Sequence, residues 1–210
     1  MVTKFRMEKY IIMDTIIGAF TAIGTVAVAV VAIWGNWIRS KLAPPKLVIE
    51  PHNLGGNLTT FTNGKKVFCY HVVIRNKRTW STSKNCRVLL KQILRRGPDN
   101  KFHIIPMVVP LQFVWAPADL TPSIVTINNE QILDLGYIEE GTKFFKPALY
   151  SYSNNFKGFV RKNEAVRYCL EIGSDNFYSE ELKTFEVAWN GKWSDNSEEM
   201  AENLKITEIN

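Results

Sequence analysis

The feature that most constrains this chain is an unbroken run without a charged side chain from Thr15 to Ile38. As an α-helix, the wholly apolar part of the run from Ile16 to Ile33 has a length of about 27 Å, and extension to Ile38 exceeds the roughly 30 Å of a bilayer's hydrocarbon core. The sequence therefore predicts a transmembrane helix over residues 15–38, preceded by a short N-terminal tail over residues 1–14.

The run has two other interpretations, a secretory signal and a buried helix of a soluble core. A secretory signal has a basic front, a short apolar core and a small-residue cleavage site, and Ala27-Val28-Ala29 resembles such a site. The run continues beyond Ala29, however, and stops at Arg39 and Lys41, which favours an uncleaved anchor. The helix of a soluble core would need protein on all its sides, whereas Pro44-Pro45 breaks the chain directly afterwards.

The end of the predicted helix carries residues that anchor helices at a membrane surface. Tryptophan is enriched at the interface, and long basic side chains extend from the apolar zone towards the headgroups. The predicted interface anchors are Trp34, Trp37, Arg39 and Lys41. Small residues recur at four-residue spacing on the same helix, which permits close approach of a second helix in lipid. The predicted helix contacts, and with them a homo-oligomer, involve Gly18, Thr21, Ala22, Thr25 and Ala29.

The orientation of the anchor rests on weaker signals. Basic residues near the two ends of the run are equal in number, so charge alone does not decide it. A start at Met13 would remove every basic residue on the amino side. The odd number of cysteines favours free thiols and a reducing compartment. We expect a single-pass protein of the inner (plasma) membrane with a cytoplasmic C-terminal domain.

After a basic and proline-containing linker over residues 39–46, the pattern changes to the period of two that is typical of β-strands. Residues 47–210 are therefore predicted to form an antiparallel, immunoglobulin-like β-sandwich. The proline-rich span from Pro106 to Pro122 is expected to cross between sheets or to lie along an edge. The predicted strands are 67–76, 85–93, 110–115, 131–138, 143–149, 165–172, 184–189 and 204–209.

Two local sequence signals predict a turn and a short helix near the C-terminal end of this domain. Asn190-Gly191 between aromatic residues predicts a tight hairpin turn. The segment from Ser194 to Leu204 predicts one short helix, capped by Asp195 or Asn196, with acidic residues in its first turn.

A resemblance rests on the segments His71-Val72-Val73-Ile74-Arg75-Asn76-Lys77-Arg78 and Ser83-Lys84-Asn85-Cys86-Arg87-Val88-Leu89-Leu90. These resemble paired strands of immunoglobulin-like bacterial sandwiches, in which one strand ends in Asn and the next begins with small and apolar residues. The apolar run from Ala22 to Ala32, with the Pro-Lys-Leu that follows it, resembles the anchor segment of uncharacterised bacterial proteins that have one membrane helix before a β-sandwich. The resemblance implies an architecture and carries no known activity.

Residue types that carry chemistry are sparse. Cys69 and His71 share one face of a predicted strand, but a zinc site would need a second ligand pair, which the sequence lacks. Asp134, Glu139 and Glu140 are interpreted as solvated loop charges. The sequence contains none of the nucleophile, phosphate, metalloprotease or dinucleotide motifs. We therefore predict no catalytic residue, no cofactor and no metal, although an enzyme with an unrecognised site stays open.

The net charge of +6 is a mild excess that suits an anionic membrane surface and does not call for nucleic acid. The basic run from Lys91 to Arg96 predicts a strand with an exposed face. Recognition of a protein partner is expected on the loops 77–84 and 113–123, through Arg78, Trp80 and Trp115. The sequence thus predicts a membrane-anchored binding or scaffolding module. The alternative is an oligomeric effector whose helices assemble and disrupt the bilayer.

Overall fold

The structure is a computed structural model that describes residues 2–179 and 181–209, and their side chains except those of residues 2–14, 36 and 38–41. The chain divides into two compact units, residues 1–44 and 45–210. The second unit begins two residues ahead of the predicted domain boundary at 47.

The first unit is one helix, α1, over Val2–Leu42. The alanines of this segment favour helix, and Pro44-Pro45 ends it because proline cannot donate to the backbone ladder. Within α1, Thr15–Gly35 is a span of 21 residues that is long and apolar enough to cross a membrane, although a signal sequence can have the same properties. The prediction of one apolar N-terminal helix is confirmed.

The regular elements of the second unit are antiparallel strands and one short helix, as predicted. Its elements are β1 Leu47–Thr60, β2 Lys66–Asn76, β3 Ser83–Arg96, β4 Phe102–Ile105, β5 Leu111–Gln112, β6 Val114–Trp115, β7 Val125–Ile127, β8 Glu130–Glu139, β9 Phe144–Pro147, β10 Val160–Arg161, β11 Glu164–Ser174, β12 Phe177–Tyr178, β13 Lys183–Trp189, α2 Ser197–Asn203 and β14 Leu204–Ile209.

These strands form two sheets. The six-stranded sheet has the order β1-β2-β8-β9-β10, and β6 also pairs with β8. The eight-stranded sheet has the order β14-β13-β11-β3-β4, with β5 and β7 also pairing with β3 and β12 with β11. The long strand β3 therefore has β11 on one side and three short strands in succession on the other.

Residues of both sheets contribute to a single hydrophobic core. On β2 the core face is the predicted one, with Phe68, Tyr70 and Val72 fully buried. The ring of Phe145 from one sheet stacks on that of Tyr168 from the other, with centroids 6.4 Å apart. Two antiparallel sheets with a shared core are consistent with a β-sandwich.

The proline-rich span changes sheets, which is one of the two predicted alternatives. β5 pairs with β3 in the eight-stranded sheet, and β6 pairs with β8 in the six-stranded sheet. Phe113 lies between them, fully buried, and forms a bridge with Leu149. The crossing point is therefore a core residue.

The predicted hairpin at Asn190-Gly191 is wrong. β13 pairs with β14 through Trp189 and Leu204, and the connection between them contains α2. Met200 of α2 is fully buried and belongs to the core, so burial of this helix outweighs a two-residue turn. The predicted short helix is confirmed: the side chain of Asn196 accepts hydrogen bonds from the backbone of Glu198 and Glu199.

Candidate interaction surfaces

The apolar segment of α1 has no protein around it within its unit. None of the segment Thr15–Gly35 is buried, and Phe20, with 72% of its surface exposed, is typical of its large side chains. Of the predicted interface anchors, Trp34 and Trp37 are exposed. The side chains of Arg39 and Lys41 lie outside the described residues.

The predicted small-residue face lies on this exposed surface. The hydroxyl groups of Thr21 and Thr25 donate to the carbonyl oxygens of Ile17 and Thr21, each at 2.9 Å. A Cβ atom added at Gly18 would meet nothing within 4 Å. The face therefore combines small side chains with hydroxyl groups already satisfied inside the helix, a surface to which a second helix can approach closely.

The loop between β2 and β3 presents Trp80 at the tip of a turn. The amide of Ser81 donates to the carbonyl oxygen of Arg78 at 2.9 Å, which closes a four-residue β-turn with Thr79 and Trp80 at its centre. The side chain of Trp80 is 62% exposed. The structure thus places Trp80 on the surface, where a binding role requires it.

Both ends of this turn are held by Asn76, which is 1% exposed. Its Oδ1 accepts from the amide of Arg78 at 3.0 Å, and its Nδ2 donates to the carbonyl oxygen of Ser81 at 2.8 Å. The same side chain accepts from the amide of Lys46 at 3.2 Å and donates to the carbonyl oxygen of Asn128 at 3.1 Å. Asn76 thus joins the Trp80 turn to the point where the chain enters the β unit, and sequence analysis missed this role.

Trp115 is not a surface residue, and its predicted place in a recognition loop needs correction. It lies in β6 with no exposed surface, and its Nε1 donates to the carbonyl oxygen of Ser123 at 3.2 Å. The alternation of β6 directs this side chain into the core. The exposed large apolar side chains of the proline-rich span 106–122 are instead Val108, Val109 and Leu120, which sequence analysis did not single out. Their position in proline-rich connections between strands was the sequence signal that could have indicated their exposure.

Cys69 and His71 lie on the same side of β2, as predicted, and the neighbouring strand adds Asp134. His71 Nδ1 is 2.8 Å from Asp134 Oδ1. Burial, together with the negative charge of Asp134, raises the pKa of the Cys69 thiol to about 11. The thiol is therefore protonated at neutral pH and is a poor nucleophile or metal ligand. Among the described residues, no group of three or more His, Cys, Asp and Glu side chains is arranged to hold a metal ion.

The carboxylates interpreted as loop charges are placed differently by the structure. Asp134 and Glu139 belong to β8, and Glu139 pairs with Lys146 at 3.0 Å. Such partners on neighbouring strands explain these charges without a catalytic role. Glu140 lies in the loop after β8, as predicted.

The basic run at the end of β3 lies on a strand, as predicted, and its cations are bound to carboxylates of the same sheet. Lys91 pairs with Glu171 at 3.1 Å, and Arg95 lies 3.5 Å from Glu164. Arg96 donates to a carboxylate oxygen of β13 at 2.5 Å. These charges therefore stabilise pairing between strands.

A surface cavity of about 540 Å³ opens near the β3–β4 turn and α2. Arg96, Asn163, Asn190 and Lys205 line it with exposed polar groups, and Asn203 lies at its wall. Its size is that of a small-molecule site, and the apolar side chains of Ala165, Ala188 and Trp189 also line it. The cavity is built from segments far apart in the chain, so the sequence carries no signal for it.

Comparison with known proteins adds no relative. No family model matches the chain, and neither a curated protein nor a solved structure is significantly similar to it.

Proposed function

We propose that this chain is a membrane-anchored, non-enzymatic binding or scaffolding module. Its N-terminal helix spans the inner (plasma) membrane once, and its β unit is presented at the membrane surface, on the cytoplasmic side. The observation that carries the proposal is the segment Thr15–Gly35, whose apolar side chains are exposed along its length. Exposed apolar surface costs about 25 cal/mol per Å² in water, and a bilayer removes this cost.

The continuity of α1 supports an uncleaved anchor. The helix extends to Leu42 without a break near Ala29, where a signal peptidase would cut. The three cysteines of the chain are free, which suits a reducing cytoplasm.

The architecture is part of the proposal. We infer that the two sheets form an immunoglobulin-like sandwich, as in the bacterial single-pass proteins that the sequence resembles. The shared core of the two sheets and the crossing at Phe113 support this inference. Recognition then falls to connections between strands, because a rigid scaffold holds them in place.

Alkaline carbonate extraction of membranes that contain the full chain tests the anchor. We expect the intact chain to stay in the membrane fraction. Val26→Arg, near the centre of the apolar segment, adds a charge that costs about 2.5–3.5 kcal/mol on insertion and should release a large fraction. Val108→Arg is the matched control, because Val108 is 96% exposed in the loop between β4 and β5. Release of the wild-type chain, or recovery of a shortened chain, contradicts the proposal.

The alternative function is an oligomeric effector, in which the β unit senses a partner and the helices assemble. The small-residue face with its satisfied Thr21 and Thr25 hydroxyl groups favours it. Cross-linking in native membranes should then detect oligomers that Ala22→Leu weakens. Ala27→Leu, on the opposite side of the helix, is the control. A chain that is monomeric with and without its partner contradicts the alternative.

A further inference from the structure

Trp80 differs from the other tryptophans of the β unit. Trp115 and Trp189 are buried, and the ring of Trp193 packs edge-on against Phe68 with centroids 5.4 Å apart. The side chain of Trp80 is 62% exposed at the centre of the turn from Arg78 to Ser81. A large aromatic side chain with an N–H donor suits an environment that is apolar at one end and wet at the other.

The exposure of Trp80 is a fixed property of the fold. The turn is closed by its own backbone hydrogen bond, and its first and last residues are both bonded to the buried side chain of Asn76. The backbone that carries the ring is therefore held in position before any partner arrives, which lowers the entropic cost of binding.

The chain itself limits how far this turn can lie from the membrane. Lys46, which donates to Asn76, follows the last helical residue Leu42 by four residues. Four extended residues span at most about 14 Å, and the helix from Gly35 to Leu42 adds roughly 11 Å. Only the eleven residues from 36 to 46 thus lead from the end of the apolar segment to the residue that bonds to Asn76.

The charges near the turn suit an anionic surface. Lys46 and Lys84 are exposed, and Arg78 lies in the turn itself. Lys77 is paired with Glu50. Near Lys84, the carboxylate of Asp175 accepts a hydrogen bond from Asn85 at 2.5 Å. Basic residues near an anionic leaflet are attracted by its negative surface potential.

We propose that Trp80 inserts into the headgroup region of an anionic bilayer and that the neighbouring exposed cations, Lys46 and Lys84, hold the β unit against the membrane at this end. This inference rests on the proposed anchoring. It makes the Asn76 end of the β unit the membrane-facing end. The opposite end carries α2, because Lys66 at the start of β2 pairs with Asp195, and β2 separates the two ends by about 33 Å.

Quenching of tryptophan fluorescence by lipids brominated close to the headgroup tests the insertion. The full chain is reconstituted in anionic vesicles, and the loss of quenching is compared between two variants. Trp80→Phe should remove the part of the quenching that arises in the β unit. Trp193→Phe, at the α2 end, should remove none. Equal losses from the two variants, or no loss from Trp80→Phe, overturn the inference.

A second measurement tests the charge. Lys84→Gln should lower the ratio of docked to undocked β unit roughly fivefold in anionic vesicles, because each basic residue near the surface contributes about that factor. Lys192→Gln, exposed at the α2 end, is the matched control and should leave the ratio unchanged. Equal Trp80 quenching in zwitterionic and anionic vesicles contradicts the role of the cations.

The same samples separate this inference from the anchoring on which it rests. A chain that resists carbonate but shows no Trp80 quenching leaves the anchor intact and overturns the docking alone. Release by carbonate overturns the anchor itself. If Trp80→Phe abolishes capture of a protein partner while quenching is absent, Trp80 is a protein-binding residue and the lipid inference is wrong.

Discussion

Asn76 is a buried amide whose side chain makes four hydrogen bonds, two as donor and two as acceptor. A buried amide is costly unless its donors and acceptors are satisfied, and here every bond goes to the backbone of another segment or of the adjacent turn. One side chain therefore fixes the relative positions of Lys46, the Trp80 turn and the connection before β8.

Replacement of Asn76 should lower the stability of the protein more than replacement of most other polar residues. Asn76→Ala leaves one buried and three partly buried backbone groups without this partner, and we expect the free energy of unfolding to fall by about 2–4 kcal/mol. Urea denaturation measures this loss. Asn57→Ala is the control, since the Asn57 side chain is exposed and accepts a hydrogen bond from the side chain of Asn53, and it should change stability by less than about 0.5 kcal/mol. Equal effects of the two variants contradict the role of Asn76.

The raised pKa of Cys69 predicts a loss of folding stability at alkaline pH. Its pKa is raised from the usual 9.0 to about 11 in the folded state, first by burial and then by the charge of Asp134. The unfolded chain loses this proton at lower pH than the folded one, so the contribution is complete below pH 9.0 and is lost as pH rises towards about 11.

Thermal unfolding as a function of pH measures this contribution. Wild type should lose more of its Tm between pH 9.0 and pH 11 than Cys69→Ala, which has no thiol to titrate. The two proteins should show parallel curves below that range. Parallel curves through the whole alkaline range contradict the raised pKa.

Among the elements, β8 depends on a glycine. It lies between β2 and β9, and Gly136 pairs with Tyr70 on one side and Pro147 on the other. A Cβ atom at this position would lie 2.3 Å from the ring of Phe145, which is fully buried, and 2.5 Å from the carbonyl oxygen of Lys146. Neither neighbour can move freely, so the strand has room only for glycine.

Gly136→Ala should therefore destabilise the β unit by about 1–3 kcal/mol, the cost of overpacking a filled core. Gly55→Ala in β1 is the matched control, because its added Cβ would lie 3.7 Å from the nearest atom, at ordinary contact distance. Chemical denaturation of both variants checks the difference. A stable Gly136→Ala variant would show that β9 can shift away from β8.

At the scale of the whole β unit, both sheets depend on one core. Trp115 from the six-stranded sheet and Phe185 from the eight-stranded sheet are both fully buried in it. Neither sheet has a separate core of its own among the described residues. The unit is therefore expected to unfold as one cooperative domain.

A pair of tryptophan variants tests this expectation. Trp115→Ala leaves a large cavity and should lower the free energy of unfolding by about 3–5 kcal/mol, with a single transition. Trp80→Ala should change stability by less than about 0.5 kcal/mol, because its ring lies on the surface. Trp115→Phe serves if the alanine variant does not fold. Two separate transitions would contradict a shared core.

Much of the architecture can be predicted from local patterns. The apolar run, the alternation of β2 and β11 and the short acidic helix α2 each reflect a periodicity or a cap that neighbouring residues specify on their own. β1 was missed because Pro51, Gly55 and Gly56 interrupt its alternation, which an edge strand with register shifts tolerates. The hairpin prediction at Asn190-Gly191 was wrong because burial of Met200 outweighed the preference of Asn-Gly for a two-residue turn.

The sequence alone therefore determined the apolar helix, the β character of the remainder and most strand positions, because hydrophobic periodicity acts over a few residues. Only the tertiary structure decided that Trp80 is exposed and Trp115 buried, that Asn76 joins segments 30 and 52 residues apart, and that Asp134 lies beside His71. These facts depend on which strands become neighbours. Strand pairing depends on long-range contacts in the shared core, and residues that are neighbours in the chain do not specify it.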